Sequence, residues 1–448
     1  MEDAIRPKWS DKLGSLITGS LGEELSRNAA QTLALRLVFV GLEFLCGLAL
    51  ARVFKASGYG VYAFVLSCVG LLGIPGVLGF DRLVIREIAM LVARDEWSLL
   101  RGLLRRSAQI VLLASTALAV AVAIGASLGA PAPESAMVVA LQMGMFGVPL
   151  LALARVRAAA LVGLGRVALG QFPEMLVQPL AMLCLIGTMY LAFGSTRSGT
   201  VAVVLYVLSA GIAFVAGALI LRNELPEAAR AVDPAYQTGR WIRSAMPFVW
   251  MLGMNAIMIN IDTVMVGLLA GTTAAGTYRV ASQMAMFVIF PLTCVNMAFA
   301  SPIATLYARG DLQTLRTRAW TGARAVLIGA LFIALLLVAF GKPVLGAFGS
   351  DFVAGYPALL ILSGGYLLVA ATGVAGYVLI MTKYEIAVAV ISALGAGMNV
   401  VGNLVLIPLW GINGAAGATA LSTVAVSLAF AVLAYRALGI RSYLLSWR

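Results

Sequence analysis

Four ionisable side chains lie inside long apolar stretches of this sequence, where a charge is expensive. Arg36 and Glu43 are seven residues apart in the first stretch, and Asp262 and Arg279 lie in two later, consecutive ones. A charged side chain at the centre of a membrane-spanning helix costs roughly 2.5–3.5 kcal/mol. Because seven residues make almost two helical turns, Arg36 and Glu43 share one helix face. We expect such charges to line a wet cavity, to pair with each other or to bind a charged ligand.

Asp262 and Arg279 belong to a predicted helical hairpin, and their depths leave two interpretations open. At about 1.5 Å per residue from the turn, Asp262 lies roughly 16 Å deep and Arg279 roughly 9 Å deep, so an ion pair needs the reach of both side chains. In the alternative, Arg279 contacts an anionic ligand in a central cavity, and Asp262 tunes or gates that contact. Asn255, Asn260 and Gln283 lie on the same two helices and are candidate sugar contacts.

Three further polar side chains are additional candidates for a binding site. Glu174 follows Pro173 near the start of an apolar stretch, so it either lines the cavity or reaches the membrane surface through its flexible side chain. Arg52 ends the first stretch, where it either contacts a departing phosphate or is simply solvated. Gln142 is a candidate for sugar recognition.

The residue types make several kinds of chemistry improbable. The chain has no histidine, so the commonest metal ligand and proton relay is missing, and proton coupling would depend on carboxylates. The four cysteines, Cys46, Cys68, Cys184 and Cys294, lie in apolar stretches without a CxxC spacing and are interpreted as small packing residues. We therefore predict no metal and no cofactor.

The elements that carry these residues are predicted to be membrane-spanning helices. Of the 448 residues, 62% are hydrophobic and 11% are charged, against roughly 45–50% and about 25% in soluble proteins. Apolar stretches of about twenty residues, long enough to cross a bilayer as helices, recur along the whole chain. They predict an all-α polytopic membrane protein with twelve spans, at residues 29–51, 60–80, 107–128, 135–154, 170–193, 200–221, 244–270, 277–300, 325–340, 356–381, 386–409 and 415–435.

The spans form two groups of six, separated and flanked by charged segments. We expect a cytoplasmic N-terminal segment at 1–28, a six-helix lobe at 29–221, a linker at 222–243, a second six-helix lobe at 244–435 and a tail at 436–448. The N-terminal segment mixes both charge signs and lacks a continuous apolar core, so no cleavable signal peptide is expected. It is interpreted as a helix on the membrane surface or an unordered tail.

Basic residues are distributed unevenly between the two sides of this topology. Most of the 31 lysines and arginines fall in the termini and in alternate loops, including Arg155 and Arg157 in the segment assigned to the loop after the fourth span. The opposite loops hold Arg52, Lys55, Arg197 and Lys342. Since basic residues are retained on the cytoplasmic side, both termini are predicted to be cytoplasmic. The net charge of +12 follows mainly from this topology and does not indicate nucleic-acid binding.

A short internal repeat supports the division into two lobes. The recurring residues, each pair 216 positions apart, are Gly60, Tyr62 and Pro75, matched by Gly276, Tyr278 and Pro291. Each set follows the first span of its lobe, so duplication explains the match better than coincidence. Because each lobe has an even number of spans, the repeats are expected to run in the same direction through the membrane, with a cavity between them.

Three stretches of the sequence resemble a known family. They are LALARVFKASGYGVYAF at 48–64, the run from Asp262 through Gly276 and Tyr278 to Ala281, and NVVGNLVLIPLWGINGAAGATALS at 399–422. The third is the most specific, with a familiar spacing of Asn399, Asn403, Pro408, Gly411, Gly414, Ala415, Ala416, Ala418 and Thr419. With the span count, they resemble the polysaccharide biosynthesis, or lipid-linked oligosaccharide flippase, family of the multidrug/oligosaccharidyl-lipid/polysaccharide exporter superfamily.

The resemblance implies both a fold and a function. The implied fold is a MATE-like, V-shaped bundle of two pseudo-symmetric lobes with alternating access. The implied function is translocation of polyprenyl-(pyro)phosphate-linked oligosaccharide to the outer leaflet of a bacterial inner membrane, for exopolysaccharide, O-antigen or capsule assembly. The polymerase and chain-length machinery are candidate partners. In such flippases, buried cationic side chains bind the phosphate groups of the substrate. Arg36 and Arg279 are the matching residues in this sequence. A third central cation, which some relatives have, is not evident.

Two other functions fit parts of the pattern. A proton-coupled cation or drug antiporter of the same superfamily would use Glu43 as its proton site, but it needs uncompensated acids in its cavity, and here two buried arginines accompany the acids. A membrane-embedded glycosyltransferase needs an active site on a sizeable extramembrane loop, whereas these loops are short and the longest are basic connectors. The pattern therefore predicts a transporter rather than an enzyme.

Overall fold

A computed structural model describes residues 20–129, 136–194, 198–308, 311–380, 382 and 384–439. For residues 20–37 and 251–258, among others, the description covers the backbone alone. The side chains of Arg36 and Asn255 therefore lie outside the described residues, as does most of the predicted N-terminal segment. Within the described ranges every regular element is a helix, which confirms the predicted all-α class.

The first lobe consists of eight α-helices and one π-helical turn. They are α1 (Ser20–Val77), α2 (Phe80–Ala93), α3 (Trp97–Gly129), α4 (Ala136–Met145), α5 (Gly147–Gly163), α6 (Val167–Phe172), the π-helical turn (Pro173–Val177), α7 (Gln178–Phe193) and α8 (Gly199–Glu224). The helix α1 holds two predicted spans, separated by one non-helical residue, Lys55. A short helix, α9 (Glu227–Ala231), lies in the predicted linker.

The second lobe has the same kind of organisation. It comprises α10 (Thr238–Leu269), α11 (Thr272–Ala285), a 3-10 turn (Met286–Ile289), α12 (Phe290–Ala308), α13 (Leu312–Phe348), a second 3-10 turn (Ser350–Gly355), α14 (Tyr356–Thr372), α15 (Ala375–Ile380) and α16 (Glu385–Leu438). The long helix α16 again holds two predicted spans, which separate at the non-helical Gly411.

The described helices have the length and composition of a membrane protein. Among the described residues, nine helical stretches are long and apolar enough to cross a bilayer, and a shorter apolar helix covers Ile259–Leu269. Large apolar side chains point outward along them: Leu128, Leu191 and Phe193 are 83%, 86% and 83% exposed. Such surfaces are stable in lipid and not in water. The exact count of twelve spans stays a prediction.

The predicted end of the fourth span is wrong. The span was ended at residue 154 because Arg155 and Arg157 follow, yet α5 continues through both arginines to Gly163. Two features allow the helix to continue. The residues after Arg157 are small or apolar, and Arg157 forms an ion pair with Glu174 inside the bundle. Both arginines therefore belong to a membrane-spanning segment rather than to a loop.

The two lobes meet at the end of the bundle that is predicted to face outward. Gly60 in α1 and Gly276 in α11 lie against each other, and a Cβ on Gly276 would be 2.7 Å from the Gly60 Cα. A Cβ on Gly60 would be 2.1 Å from the Thr272 carbonyl oxygen. Glycine is required at this crossing because the two backbones touch. The repeat glycines of the two lobes thus form one of the close contacts between them.

The backbone supplies further support for duplication. Lys55, between the two spans of α1, has φ 59° and ψ 177°, and Gly271, which lies 216 residues later, has φ 89° and ψ 162°. Both conformations lie in a region that is normally restricted to glycine. The same unusual turn therefore precedes Gly60 in one lobe and Gly276 in the other.

Candidate functional site

Two adjoining cavities share Glu43 as a lining residue, and we refer to them together as the Glu43 cavity. The first, of about 250 Å³, lies between α1 and the segment from α11 to α12, and its lining includes Phe44, Gln283 and Thr293. The second, of about 350 Å³, lies within the first lobe. Glu43 is thus placed where the lobes face each other.

Arg279 brings a cation from the second lobe to this position. It lies one turn before Gln283 on α11, is half-buried, and interacts electrostatically with Glu43. Three residues that were predicted from the sequence, Glu43, Arg279 and Gln283, are therefore brought together at the interface between the lobes.

Arg155 is a further cation at the same cavity, and sequence reasoning missed it. Together with Glu174, Gln178 and Tyr206 it lines the part of the cavity within the first lobe. It was assigned to a loop because the span was ended too early. The run of small and apolar residues that continues after Arg157 was the available signal that the helix extends beyond it.

Glu174 is anchored within the bundle. Its carboxylate accepts a hydrogen bond from the guanidinium of Arg157, whose other terminal nitrogen donates to the Ala213 and Phe214 carbonyl oxygens at 3.1 and 2.9 Å. The π-helical turn that begins at Pro173 carries Glu174, and such turns reorient side chains within a helix. Glu174 thus lines the part of the cavity within the first lobe and is paired with Arg157, and its role in binding stays a prediction.

Asp262 occupies a separate, closed site within the second lobe. Its Oδ1 accepts a hydrogen bond from Asn403 Nδ2 at 2.6 Å, and its Oδ2 accepts from Thr419 Oγ1 at 2.7 Å and from Tyr278 OH at 3.2 Å. Asn403 also donates to Asn399 Oδ1 at 3.1 Å. No ion pair links Asp262 to Arg279 or to another cation among the described residues.

This closed site has a definite chemical character. A fully buried carboxylate whose partners are all neutral carries an uncompensated charge, so it favours a bound proton or a small cation. The groups around it are the Asn403 amide nitrogen and the hydroxyls of Thr419 and Tyr278, all of which donate hydrogen bonds to the carboxylate. No cluster of three or more acidic or cysteine side chains suited to a metal ion occurs in the part of the chain that the structure describes.

Among the predicted residues whose side chains the structure describes, Arg52, Gln142 and Asn260 do not line the Glu43 cavity. Arg52 donates a hydrogen bond to the Ala347 carbonyl oxygen at 2.5 Å and is exposed, and Gln142 donates to Ser127 Oγ at 2.8 Å. Asn260 packs against α1, where a Cβ on Gly70 would be 3.0 Å from its Oδ1. The side chains of Arg36 and Asn255 lie outside the described residues.

The described helices form two lobes of apolar, membrane-length helices, with a cavity between the lobes that Glu43 and Gln283 line. A family model described as polysaccharide biosynthesis protein matches residues 25–304, and a second, described as MatE, matches residues 247–410. The first match covers more than half of the chain. The chain therefore belongs to the polysaccharide biosynthesis protein family.

Solved structures with this fold are transporters of the MOP superfamily. An inward-facing multidrug resistance MATE family transporter gives a TM-score of 0.73 at 14% identity, covering 92% of this chain and 98% of that chain. A MOP superfamily transporter from Pyrococcus furiosus gives 0.64 at 13%, covering 95% and 97%. The lipid II flippase MurJ, in an inward closed conformation, gives 0.69 at 10%, covering 91% and 87%. These likenesses confirm the predicted MATE-like fold. No curated protein sequence matches the chain.

Proposed function

We propose that this chain moves an anionic, lipid-linked oligosaccharide across a bacterial cytoplasmic membrane by alternating access. Two observations carry the proposal: Arg155 lines the same cavity as Glu43, and Arg279, from the other lobe, interacts electrostatically with Glu43. Because Arg157 neutralises Glu174, the charges that remain at the cavity sum to net positive. Guanidinium groups bind phosphate oxygens in a planar, bidentate geometry, which suits a pyrophosphate head group.

The family and the fold support this class of substrate. Membership of the polysaccharide biosynthesis protein family favours a saccharide carrier, and the fold likeness to a lipid II flippase favours a lipid-linked one. The substrate we propose is a polyprenyl-(pyro)phosphate-linked repeat unit. Its sugar forms hydrogen bonds with side-chain amides such as that of Gln283, and its prenyl tail stays in the lipid. The polymerase and chain-length machinery would receive it on the outer side. Both termini are proposed to be cytoplasmic, and no enzymatic step is required.

The membrane potential helps such a translocation. A pyrophosphate head group with about two negative charges leaves a cytoplasm that is negative inside. Each charge gains roughly 2.3 kcal/mol per 100 mV, so two charges gain about 4–5 kcal/mol. This free energy biases the substrate outward even without tight coupling to an ion.

The antiporter alternative is weaker because of where the uncompensated acid lies. A cation exporter needs such an acid in the cavity that its cargo enters. Asp262 is uncompensated, but it is buried behind neutral groups and does not line the Glu43 cavity. Arg155 lines that cavity with Glu43, and Arg279 interacts electrostatically with Glu43. Asp262 therefore suits a coupling proton or ion better than it suits a greasy cationic cargo.

The experiment that tests the proposal is flipping of a fluorescent polyprenyl-pyrophosphate oligosaccharide in proteoliposomes. Arg155→Gln and Arg279→Gln should each lower the rate about 10-fold or more, because a hydrogen bond to a charged group contributes about 1.5–3 kcal/mol. The control is Arg94→Gln, which removes an equal charge from an exposed position remote from the cavity. Gel filtration verifies the fold of each variant.

Two outcomes would contradict the proposal. In the first, both cavity variants flip the substrate at the wild-type rate. In the second, the wild type moves no lipid-linked sugar but exports a lipophilic cation in a manner that depends on Glu43. That second outcome would establish the antiporter instead.

A further inference from the structure

A second cavity opens on the flank of the first lobe, separate from the Glu43 cavity. It lies between α3, α5 and α8 and has a volume of about 570 Å³. Its walls are mainly apolar, with Leu112, Leu153 and Phe214 among the lining residues. The volume is within the range of about 300–1,000 Å³ typical of small-molecule sites. We refer to it as the flank groove.

The charged side chains at the flank groove are all arginines. Arg105 and Arg222 are exposed at the end of the bundle that is predicted to be cytoplasmic, and Arg157 lies deeper. Neither Arg105 nor Arg222 forms an ion pair within the described part of the chain. The mouth of the groove therefore carries two uncompensated positive charges above apolar walls.

Arg157 forms a buried part of the groove wall. It is 5% exposed, and both of its terminal nitrogens have acceptors within the protein. Its Nε is buried as well, so the cationic groups open to a bound molecule are those of Arg105 and Arg222.

We propose that the flank groove binds an anionic phospholipid from the cytoplasmic leaflet. The phosphate lies between Arg105 and Arg222, and one acyl chain lies along the apolar walls. The arginines favour an anionic over a zwitterionic head group because the lining contains no acid to receive an ammonium group. The apolar walls favour a lipid over a free anion.

The groove also has a structural connection to the central cavity. Arg157 lines the flank groove, and its partner Glu174 lines the Glu43 cavity. A bound lipid thus contacts one member of the ion pair whose other member faces the transport site. The lipid site itself does not depend on the proposed substrate.

The test is native mass spectrometry of the full-length protein in detergent, titrated with phosphatidylglycerol or with phosphatidylethanolamine of the same acyl chains. The wild type should bind phosphatidylglycerol more tightly. Arg105→Gln combined with Arg222→Gln should weaken that binding about 30-fold, which corresponds to about 1 kcal/mol per arginine. Both arginines are exposed, so the double variant is expected to fold.

Two further variants separate the groove from general attraction to a basic surface. Arg318→Gln combined with Arg324→Gln removes two exposed arginines from α13 in the other lobe and should leave binding unchanged. Ala218→Trp fills the groove without changing charge, and it should weaken binding of both lipids. Equal losses in the two arginine pairs, or unchanged binding in Ala218→Trp, would overturn the proposal. Displacement by inorganic phosphate alone would identify a free-anion site instead.

Discussion

Replacement of Gly60 by alanine should separate the lobes at the end predicted to face outward. The added Cβ would lie 2.1 Å from the Thr272 carbonyl oxygen, whereas ordinary contact begins at 3.4 Å, so the backbones must part by about 1.3 Å. A main-chain carbonyl has no rotamer with which to move aside. Overpacking of this kind costs about 1–3 kcal/mol, which shifts the equilibrium between closed and open outer ends about 5- to 150-fold.

The assay is pulsed electron paramagnetic resonance between spin labels on the two lobes. Leu128 and Ser350 are exposed and lie in different lobes, so they are suitable labelling positions once the native cysteines are replaced. Gly60→Ala should increase the population of long distances. The matched control is Gly73→Ala in the same helix, where an added Cβ meets nothing within 4 Å.

The reasoning is refuted if Gly60→Ala and Gly73→Ala give the same distance distribution as the wild type. That result would mean that the helices absorb the added methyl group locally. If Gly60→Ala is poorly folded, Gly276→Ala tests the same crossing, because its Cβ would be 2.7 Å from the Gly60 Cα.

Three further predictions concern single sites. Asp262→Asn should retain the fold but abolish the rise in melting temperature that a small bound cation or a lower pH gives the wild type; a wild type indifferent to both would contradict the coupling role. Lys55→Gly should raise the melting temperature, because relief of about 1–3 kcal/mol of backbone strain exceeds the flexibility cost of about 0.5–1 kcal/mol; a lower value would show that Lys55 is not strained. Gly217→Ala, whose Cβ would be 2.0 Å from Arg157 Nη1, should lower stability by about 1–3 kcal/mol, whereas Gly211→Ala in the same helix meets nothing within 4 Å and should be neutral in thermal unfolding.

The helices were predictable because membrane insertion depends on local composition. A stretch of about twenty apolar residues is sufficient evidence for a span, whatever its neighbours are. The turn around Lys55 and the break at Gly411 fall in the predicted gaps between spans. The same local reasoning failed at Arg155 and Arg157, since the partner that stabilises Arg157 is Glu174, beyond the end of the helix.

The candidate site was predictable in part. Glu43, Arg279 and Gln283 were identified because polar residues inside apolar helices are rare. The partners of Asp262 were not identified, because Asn403 and Thr419 come from helix α16, far along the chain. Asn399 and Asn403, four residues apart, lie on one helix face, but nothing in the sequence specified which carboxylate that face would contact.

The two lobes have related backbones, but their buried charged residues have different surroundings. Helix α11 of the second lobe carries residues that interact with the charged residues of both lobes. The first lobe exposes Glu43 and Arg155 to a cavity, whereas the second lobe encloses Asp262 among neutral donors. On α11, Tyr278 donates a hydrogen bond to Asp262, and the next residue, Arg279, interacts with Glu43. We expect a proton or ion that binds Asp262 to change the bond to Tyr278 and, because Tyr278 and Arg279 are consecutive residues of one helix, to shift Arg279 as well. Asp262 and Arg279 are therefore linked by one hydrogen bond, between Asp262 and Tyr278, and by the peptide bond between Tyr278 and Arg279.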